Sequence, residues 1–246
     1  MSWTCVQRVK NSDEHAGHEK YVDELKLHAD RALPALVHGS QLPWLTSSES
    51  GVERRLLERI GGEVALASSI VRYQRGSHFA RHTHDLGEEF FVLEGTFSDG
   101  HGDYPAGSYV RNPPGTSHAP FSESGCVIFV KLRQMRADDN AQVWSFAHDR
   151  DWCATSTNGH EAATLHNADG VSVTLERLVA GTTVPVRAHS GGEEIFVITG
   201  SAQLLDENQT ILHAWSWSRR PGAQHVALTA TTDALLWINR GHLPAV

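Results

Sequence analysis

Apolar residues along this chain fall into short runs in which β-branched and aromatic side chains are frequent. The clearest runs span residues 64–73, 89–94, 126–132, 171–179, 194–199 and 234–239. Turn-forming Gly, Pro, Asn and Asp residues separate them, as at residues 98–102, 113–115 and 206–208. Short runs divided in this way are typical of β-strands. Because no helical period competes over most of the chain, the pattern predicts an all-β fold, a sandwich or a barrel.

The N-terminal region departs from this pattern. Residues 24–33 read Glu-Leu-Lys-Leu-His-Ala-Asp-Arg-Ala-Leu, which is compatible with a single short helix. The same residues are equally compatible with an extended arm. We therefore treat residues 1–39 as an N-terminal arm that holds one helix or none.

The two halves of the chain repeat each other. Residues 87–95, Gly-Glu-Glu-Phe-Phe-Val-Leu-Glu-Gly, share six of nine positions with residues 192–200, Gly-Glu-Glu-Ile-Phe-Val-Ile-Thr-Gly. The correspondence continues on both sides with small insertions at turns. A repeat of this length indicates duplicated domains and not a solenoid of short units. We place the two lobes at residues 40–140 and 148–246.

The composition narrows the class of protein. The chain has 246 residues, of which 40% are hydrophobic and 20% charged, as expected for a globular protein. Its net charge of −8 argues against nucleic acid or an anionic membrane as a partner. No run approaches the roughly 18 apolar residues that a membrane-spanning helix needs.

Three observations on the sequence favour a cytoplasmic protein. The first thirty residues are charged and lack the apolar central region of a signal peptide, so export is not indicated. The cysteines, Cys5, Cys126 and Cys153, are odd in number and widely spaced. No Cys-x-x-Cys motif occurs, which argues against both a disulfide framework and a thiolate zinc cluster.

Four residues of the first lobe form a candidate metal site. His82 and His84 are two positions apart, so in a strand both imidazoles point to the same face. Glu88 follows shortly afterwards, and His118 lies thirty residues further on in a Pro-Pro-Gly-Thr-Ser-His stretch. Three imidazoles and one carboxylate suit one divalent transition metal, with Zn(II) or Fe(II) first and Mn(II) or Ni(II) as further candidates.

The second lobe carries an incomplete copy of this set. His189, Glu193 and His225 are retained, but Arg187 stands where the first lobe has His82. An arginine stays protonated and cannot be a ligand. One interpretation is a residual metal site of two histidines and one glutamate. The other, which we favour, is a vestigial site in which Arg187 pairs with Glu193 and replaces the charge of the metal.

These residues resemble the cupin superfamily. The first cupin motif is matched by Gly76, His82, His84, Glu88 and Gly95, and the second by Gly107, Pro113, Gly115 and His118. The second motif normally ends in asparagine, whereas this chain has Ser122. The resemblance implies two tandem cupin barrels of the double-stranded β-helix, or jelly-roll, type (a bicupin). It also implies that His82, His84, Glu88 and His118 are metal ligands.

Within that superfamily, the amino-acid sequence of the first lobe is similar to that of the cupin domain of the ChrR anti-sigma factor. This resemblance implies a metal-binding regulatory protein or a sensor of small ligands. Binding of a sigma factor does not carry over, because ChrR proteins use an N-terminal His-x-x-x-Cys-x-x-Cys zinc motif. The present N-terminus offers His15, His18 and His28 with only Cys5.

An enzymatic function is the alternative. A similar cupin domain occurs in dihydroxyacetophenone dioxygenase, an iron enzyme that cleaves a carbon–carbon bond with oxygen. By that resemblance the chain is a non-haem Fe(II) dioxygenase for a small oxygen-chelating substrate such as a hydroxyketone or diketone. The sequence leaves open whether the protein is an enzyme. A small-molecule ligand and a homodimer formed through exposed strand edges are the partners we expect.

Overall fold

The protein is built almost entirely of β-strands. The computed structural model describes residues 25–62, 64–187, 189–222 and 226–244. Within these ranges the helical segments are two 3₁₀ turns, Gly39–Gln41 and Ala147–Asp149. No helix in this part of the chain is long and apolar enough to cross a lipid bilayer. The predicted all-β fold is confirmed.

Between residues 25 and 150 the described part of the chain forms fourteen strands, and most of them build the first lobe. They are β1 (Lys26–Leu27), β2 (Ala35–His38), β3 (Leu45–Thr46), β4 (Val52–Gly61), β5 (Ala65–Tyr73), β6 (Ser77–His78), β7 (His82–Thr83), β8 (Glu88–Asp99), β9 (Gly102–Pro105), β10 (Tyr109–Asn112), β11 (Ser117–His118), β12 (Phe121–Ser122), β13 (Cys126–Leu132) and β14 (Val143–Ser145). The main antiparallel sheet has the order β1-β4-β5-β13-β8-β10-β14. Shorter pairs, β6 with β12 and β7 with β11, complete the barrel.

The second lobe repeats this architecture. Its strands are β15 (Cys153–Ala154), β16 (His160–Ala168), β17 (Val171–Leu178), β18 (Thr183–Val184), β19 (Glu193–Thr199), β20 (Ser201–Leu204), β21 (Ile211–His213), β22 (Ser216–Arg220), β23 (Leu228–Ala230) and β24 (Ala234–Arg240). The main sheet has the order β15-β16-β17-β24-β19-β22-β2, and a smaller sheet has the order β18-β23-β20-β21. Each strand of the main sheet therefore has a counterpart in the first lobe.

The lobes exchange one strand each. Strand β2 precedes the first lobe in sequence but pairs with β22 of the second, where Val37 lies opposite Trp217. Strand β14 follows the first lobe and pairs with β10, where Val110 lies opposite Trp144. The segments on either side of the first barrel thus add an outermost strand to the two main sheets. This exchange ties the lobes together through backbone hydrogen bonds.

The described part of the N-terminal arm is extended. Residues 25–33 contain strand β1 and a turn, so the interpretation of this segment as a helix is wrong over these residues. Strand β1 pairs with β4, and Lys26 lies opposite Ile60. Pairing with the sheet edge gives the backbone N–H and C=O groups of this segment hydrogen-bond partners, whereas a short isolated helix is only marginally stable in water. Residues 1–24, with the remainder of the arm and Cys5, lie outside the described residues.

Alternating residues of the central strands serve two separate cores. On β13, Ile128 and Val130 point into the first barrel, whereas Val127 and Phe129 belong to a core shared between the lobes. Phe129 stacks on Phe196 of the second lobe, with ring centroids 4.1 Å apart and planes within 8°. This shared aromatic core fixes the two barrels against each other.

The glycine that closes the first motif in each lobe is required by close packing. Gly95 and Gly200 both have positive φ angles, 70° and 76°. A side chain at either position would collide with a backbone carbonyl oxygen, that of Gly125 or that of Asp233. Only glycine therefore lets β8 and β19 turn tightly beside the neighbouring hairpin.

Candidate metal centre

The four predicted ligands of the first lobe lie together at one end of the barrel. Strands β7 and β11 pair so that His82 lies opposite His118, and Glu88 begins β8. One ligand atom from each of His82, His84, Glu88 and His118 lies within 4.8 Å of the others. The sequence places these residues up to 36 positions apart, and it is the pairing of two short strands that brings them together.

The three imidazoles are oriented so that each presents Nε2 to the centre of the group. Their Nδ1 atoms are occupied, since His82 contacts the Ala80 carbonyl, His84 the Thr116 hydroxyl and His118 the Asp99 carboxylate, each at 2.9 Å. Nε2 of His84 and Nε2 of His118 are buried without a hydrogen-bond partner. Two buried nitrogens left unpaired in this way are costly unless something binds them.

Glu88 faces the same centre. Its Oε1 lies 3.6 Å from Nε2 of His84 and 3.4 Å from Nε2 of His118, and the residue is 7% exposed. Among the described residues no lysine or arginine pairs with it, and Asn112 reaches it only at 3.3 Å. A buried carboxylate without a cationic partner is unfavourable. The donor set and its unpaired atoms therefore fit a divalent transition metal.

The electrostatics of the two buried histidines differ. Burial lowers the pKa of His84, and the neighbouring imidazoles reinforce this although Glu88 opposes it. His84 therefore remains neutral, which is the form that binds a metal. Burial also disfavours the charged form of His118, but the hydrogen bond with Asp99 and the charge of Glu88 outweigh it and raise the pKa.

Asp99 contacts Nδ1 of His118 at 2.9 Å and is therefore a candidate site residue, which the sequence analysis missed. Burial works to raise its pKa, but the His118 hydrogen bond and the backbone N–H of His101 outweigh burial and lower the pKa, so the group is ionised. It holds Nδ1–H of His118 and thereby fixes the ring that faces the centre. Its position in a Ser-Asp-Gly-His turn indicated only a loop. The signal that could have identified Asp99 was its position as an acidic residue at the far end of the strand that begins with Glu88.

A cavity of about 460 Å³ opens directly onto this group. Its walls are mostly apolar and come from alternate residues of the central strands. The apolar lining includes Val71, Tyr73, Phe97, Ile128, Val130 and Leu132. A volume of this size lies in the range of about 300–1,000 Å³ that is typical of sites for small organic molecules.

The corresponding region of the second lobe is filled by charged side chains. Glu193, the counterpart of Glu88, accepts a hydrogen bond from Nε of Arg240 at 2.7 Å. Arg240 also contacts Glu176 at 3.1 Å, and Arg187 contacts the same Glu176 oxygen at 3.0 Å. The predicted ion pair between Arg187 and Glu193 is therefore wrong, because Arg240 occupies the position of the cation beside Glu193.

The remaining predicted residues of that lobe are not assembled into a metal site by the described part of the structure. Nδ1 of His189 accepts a hydrogen bond from the Gly191 backbone N–H at 3.3 Å. His225 lies outside the described residues. The group of potential metal ligands found within these ranges is the one in the first lobe.

Strand register explains why the two lobes differ. Leu132 lies opposite Glu88 on neighbouring strands, and Arg240 lies opposite Glu193 at the same place in the second lobe. Likewise Val71 lies opposite Ile128, whereas its counterpart Glu176 lies opposite Leu236. Two apolar wall positions have thus become a buried ion pair. An alignment of the two repeats could have revealed this difference, because Val71 corresponds to Glu176 and Leu132 corresponds to Arg240.

Solved structures share this architecture. The E. coli protein Ylba is 12% identical with a TM-score of 0.66, and the match covers 91% of this chain and 96% of that one. A salicylate 1,2-dioxygenase from Pseudaminobacter salicylatoxidans is 14% identical with a TM-score of 0.60, covering 86% and 85%. An oxalate decarboxylase from Bacillus subtilis with Mn(II) centres is 12% identical with a TM-score of 0.59, covering 86% and 78%. Identities this low show a common fold.

Comparison at the sequence level is more specific. No curated protein sequence matches the chain. The family model of the ChrR cupin-like domain, however, matches it twice, over residues 33–136 and again over residues 140–244. The matches take in β2 and β14, the two exchanged strands, together with both barrels. The chain therefore belongs to the ChrR cupin-like domain family and carries two copies of that domain.

Proposed function

We propose that the first lobe binds one divalent transition metal through His82, His84, Glu88 and His118. The observation that carries this proposal is the pair of buried Nε2 atoms, on His84 and His118, that point at Glu88 without a hydrogen-bond partner. A cation at that point would satisfy both nitrogens and neutralise the carboxylate. The cavity beside the group supports a metal with one open face, toward which a small molecule has access.

The function that this arrangement supports best is that of a metalloenzyme, specifically an Fe(II)-dependent dioxygenase for a small oxygen-chelating compound of the hydroxyketone or diketone type. Bound Fe(II) would supply a Lewis acid and a site for oxygen. The chain itself would hold the imidazoles in their ligating form, orient His118 through Asp99, and exclude water with apolar walls. The likeness of the fold to a salicylate dioxygenase agrees with this proposal.

Metal analysis combined with oxygen uptake tests the enzymatic function. Protein purified without oxygen is analysed for iron, zinc, manganese and nickel, and is then supplied with aromatic hydroxyketones and β-diketones. We expect stoichiometric iron and substrate-dependent oxygen consumption that His118→Ala abolishes. Iron without uptake by any of these compounds contradicts the dioxygenase, and protein without any transition metal contradicts the metal centre.

A regulatory or ligand-sensing function is the second candidate. It is favoured by the family match itself, because the ChrR cupin-like domain is matched over both lobes. In this case we expect tightly held zinc and no oxygen uptake. The same anaerobic preparation therefore discriminates between the two functions. The sequence supplies no argument for a sigma factor as the partner.

We also propose a cytoplasmic location and a homodimer, and we expect no nucleic-acid partner. Unpaired thiols at Cys126 and Cys153 agree with a reducing compartment. Within the described residues strand β14 pairs only with β10, and Trp144 is 50% exposed, which gives a second copy an edge to contact. Light scattering measures the mass in solution, and a monomer at all concentrations would contradict the dimer.

A further inference from the structure

Among the arginines that line the first-lobe cavity, one has no hydrogen-bond or ion-pair partner in the described part of the chain. Arg54 lies on β4, opposite Val71, and its side chain lines the cavity. It is half-buried, and among the described residues it forms no hydrogen bond or ion pair. Its guanidinium carbon lies 5.9 Å from the ring centroid of Phe79, which gives only a weak interaction.

The two other arginines that line the cavity have partners, and Arg59 donates a hydrogen bond to the Gly62 carbonyl. Arg72 is bound to Glu53 at 2.6 Å, and Arg133 at the cavity mouth is paired with Asp85. Glu49 also lines the cavity but does not form an ion pair with Arg54. A guanidinium set in a mostly apolar wall loses hydration, and within the described residues only the weak contact with Phe79 offsets that loss. An anion bound in the cavity would compensate the hydration that the guanidinium loses.

The position of Arg54 places it at a distance from the metal ligands but within the same cavity. Phe79 links the two, since its ring lies 5.2 Å from that of His82 on one side and 5.9 Å from Arg54 on the other. Tyr73 is buried and lines the same cavity. A molecule that reaches from the ligands to Arg54 would therefore pass along apolar side chains.

The second lobe has no equivalent of this arginine. Ala162 lies opposite Glu176 there, as Arg54 lies opposite Val71 in the first lobe. The position equivalent to Arg54 thus holds an alanine in the second lobe, so the architecture of the barrel does not require an arginine there.

We propose that the first-lobe cavity binds an amphipathic organic acid whose carboxylate is held by Arg54, whose apolar body lies along Phe79, Tyr73 and Val71, and whose opposite end faces His82, His84, Glu88 and His118. Arginine presents two parallel N–H groups, which match the two oxygens of a carboxylate. This inference rests on the proposed function, because it assigns the class of molecule that the metal centre would act on or sense. It requires the bound molecule to carry a carboxylate in addition to the oxygen atoms that would bind the metal.

Calorimetric titration with matched acids and amides tests this assignment. The probes are 3-phenylpropionate with 3-phenylpropionamide, and octanoate with octanamide, which separate an aromatic body from a linear one. In the wild-type protein we expect at least one acid to bind about tenfold or more tightly than its amide, as a charge-assisted bidentate contact implies. In Arg54→Gln the preference should fall to about twofold or less, and Arg54→Lys should be intermediate.

Arg72→Gln is the matched control, since it removes the same charge from the same lobe outside the cavity and should leave the acid preference unchanged. Circular dichroism checks that each variant is folded. Equal or absent binding of acid and amide by the wild type overturns the assignment. So does an acid preference that survives Arg54→Gln and disappears in His118→Ala, because the carboxylate would then bind at the metal.

The metal content of every sample separates this inference from the proposed function. If the metal is present but Arg54 gives no preference for acids, only the inference fails. If no metal is present and Arg54 still selects the acid, the metal centre fails and the anion site stands.

Discussion

The two lobes share one sheet order, but their equivalent buried glutamates, Glu88 and Glu193, have different surroundings. In the first, Glu88 faces two unpaired imidazole nitrogens and a cavity with apolar walls. In the second, Glu193 is neutralised by Arg240, which also binds Glu176. A buried carboxylate needs a positive partner in either case. Two substitutions in the barrel wall are therefore enough to replace an open site with an internal ion pair, while the backbone architecture stays the same.

Removal of a ligand from each lobe tests the asymmetry most directly. His118→Ala should release most of the bound metal while the second lobe stays folded, because it removes one of the four ligands and changes only the first lobe. His225→Ala should barely change the metal content. Elemental analysis of both variants against wild type provides the measurement. Equal losses from the two substitutions would show that the lobes do not differ as described.

A second way to break the comparison is to give the first lobe the residue of the second. Leu132→Arg places a guanidinium opposite Glu88, as Arg240 lies opposite Glu193. We expect the new ion pair to displace most of the metal without unfolding the barrel, since the cavity has room for the longer side chain. Leu132→Met is the control and should retain the metal. Metal content after dialysis decides the outcome, and a metal-replete Leu132→Arg protein would refute the argument from register.

The reverse substitution addresses stability. Arg240→Leu leaves Glu193 without its partner and weakens the environment of Glu176, which is 1% exposed. We expect a loss of about 3–5 kcal/mol in the free energy of unfolding, as for other buried ion pairs that lose one member. Adding Glu176→Val should recover part of it by restoring the residue pair of the first lobe. Urea unfolding measures both changes, and a fully stable single variant would argue against the role of the ion pair.

The pH dependence of stability sharpens the description of the second lobe. Burial disfavours the charged form of Glu176, but His160, Arg240 and Arg187 outweigh it and lower the pKa to about 2. Because the folded pKa lies below the ordinary value of 4.5, the stabilisation is fully present above that pH. It is lost as pH falls from 4.5 toward 2 and amounts to about 3 kcal/mol. Glu176→Gln should flatten this part of the stability profile, and an unchanged profile would exclude Glu176 as its source.

The smallest effect is expected from the residue that orients a ligand. Asp99→Asn removes the carboxylate that holds Nδ1–H of His118 but preserves the size of the side chain. We expect metal affinity to fall by about tenfold to a hundredfold, which is typical of such orienting groups. Competition with a chromogenic chelator measures the affinity. Thr116→Val, which removes the weaker contact to His84, is the companion variant and should have a smaller effect.

The candidate site of the first lobe could be recognised from the sequence because its residues lie in two short motifs with fixed spacing. The two-residue spacing of His82 and His84, together with the resemblance to the two cupin motifs, predicted that four side chains converge. Asp99 and Arg54 could not be recognised in the same way. Asp99 contacts His118 of β11, and Arg54 of β4 lines a cavity to which the distant strands β8 and β13 contribute walls.

The chain by itself determined that two β-lobes form, since the repeat, the short apolar runs and the motif glycines are local properties of the sequence. It also determined which four residues are available to hold a metal. Only the tertiary structure decided that β2 and β14 change lobes and that Arg240, and not Arg187, neutralises Glu193. The physical reason is that partner choice among buried charges depends on strand register and on distances across the barrel, which residue spacing along the chain does not specify.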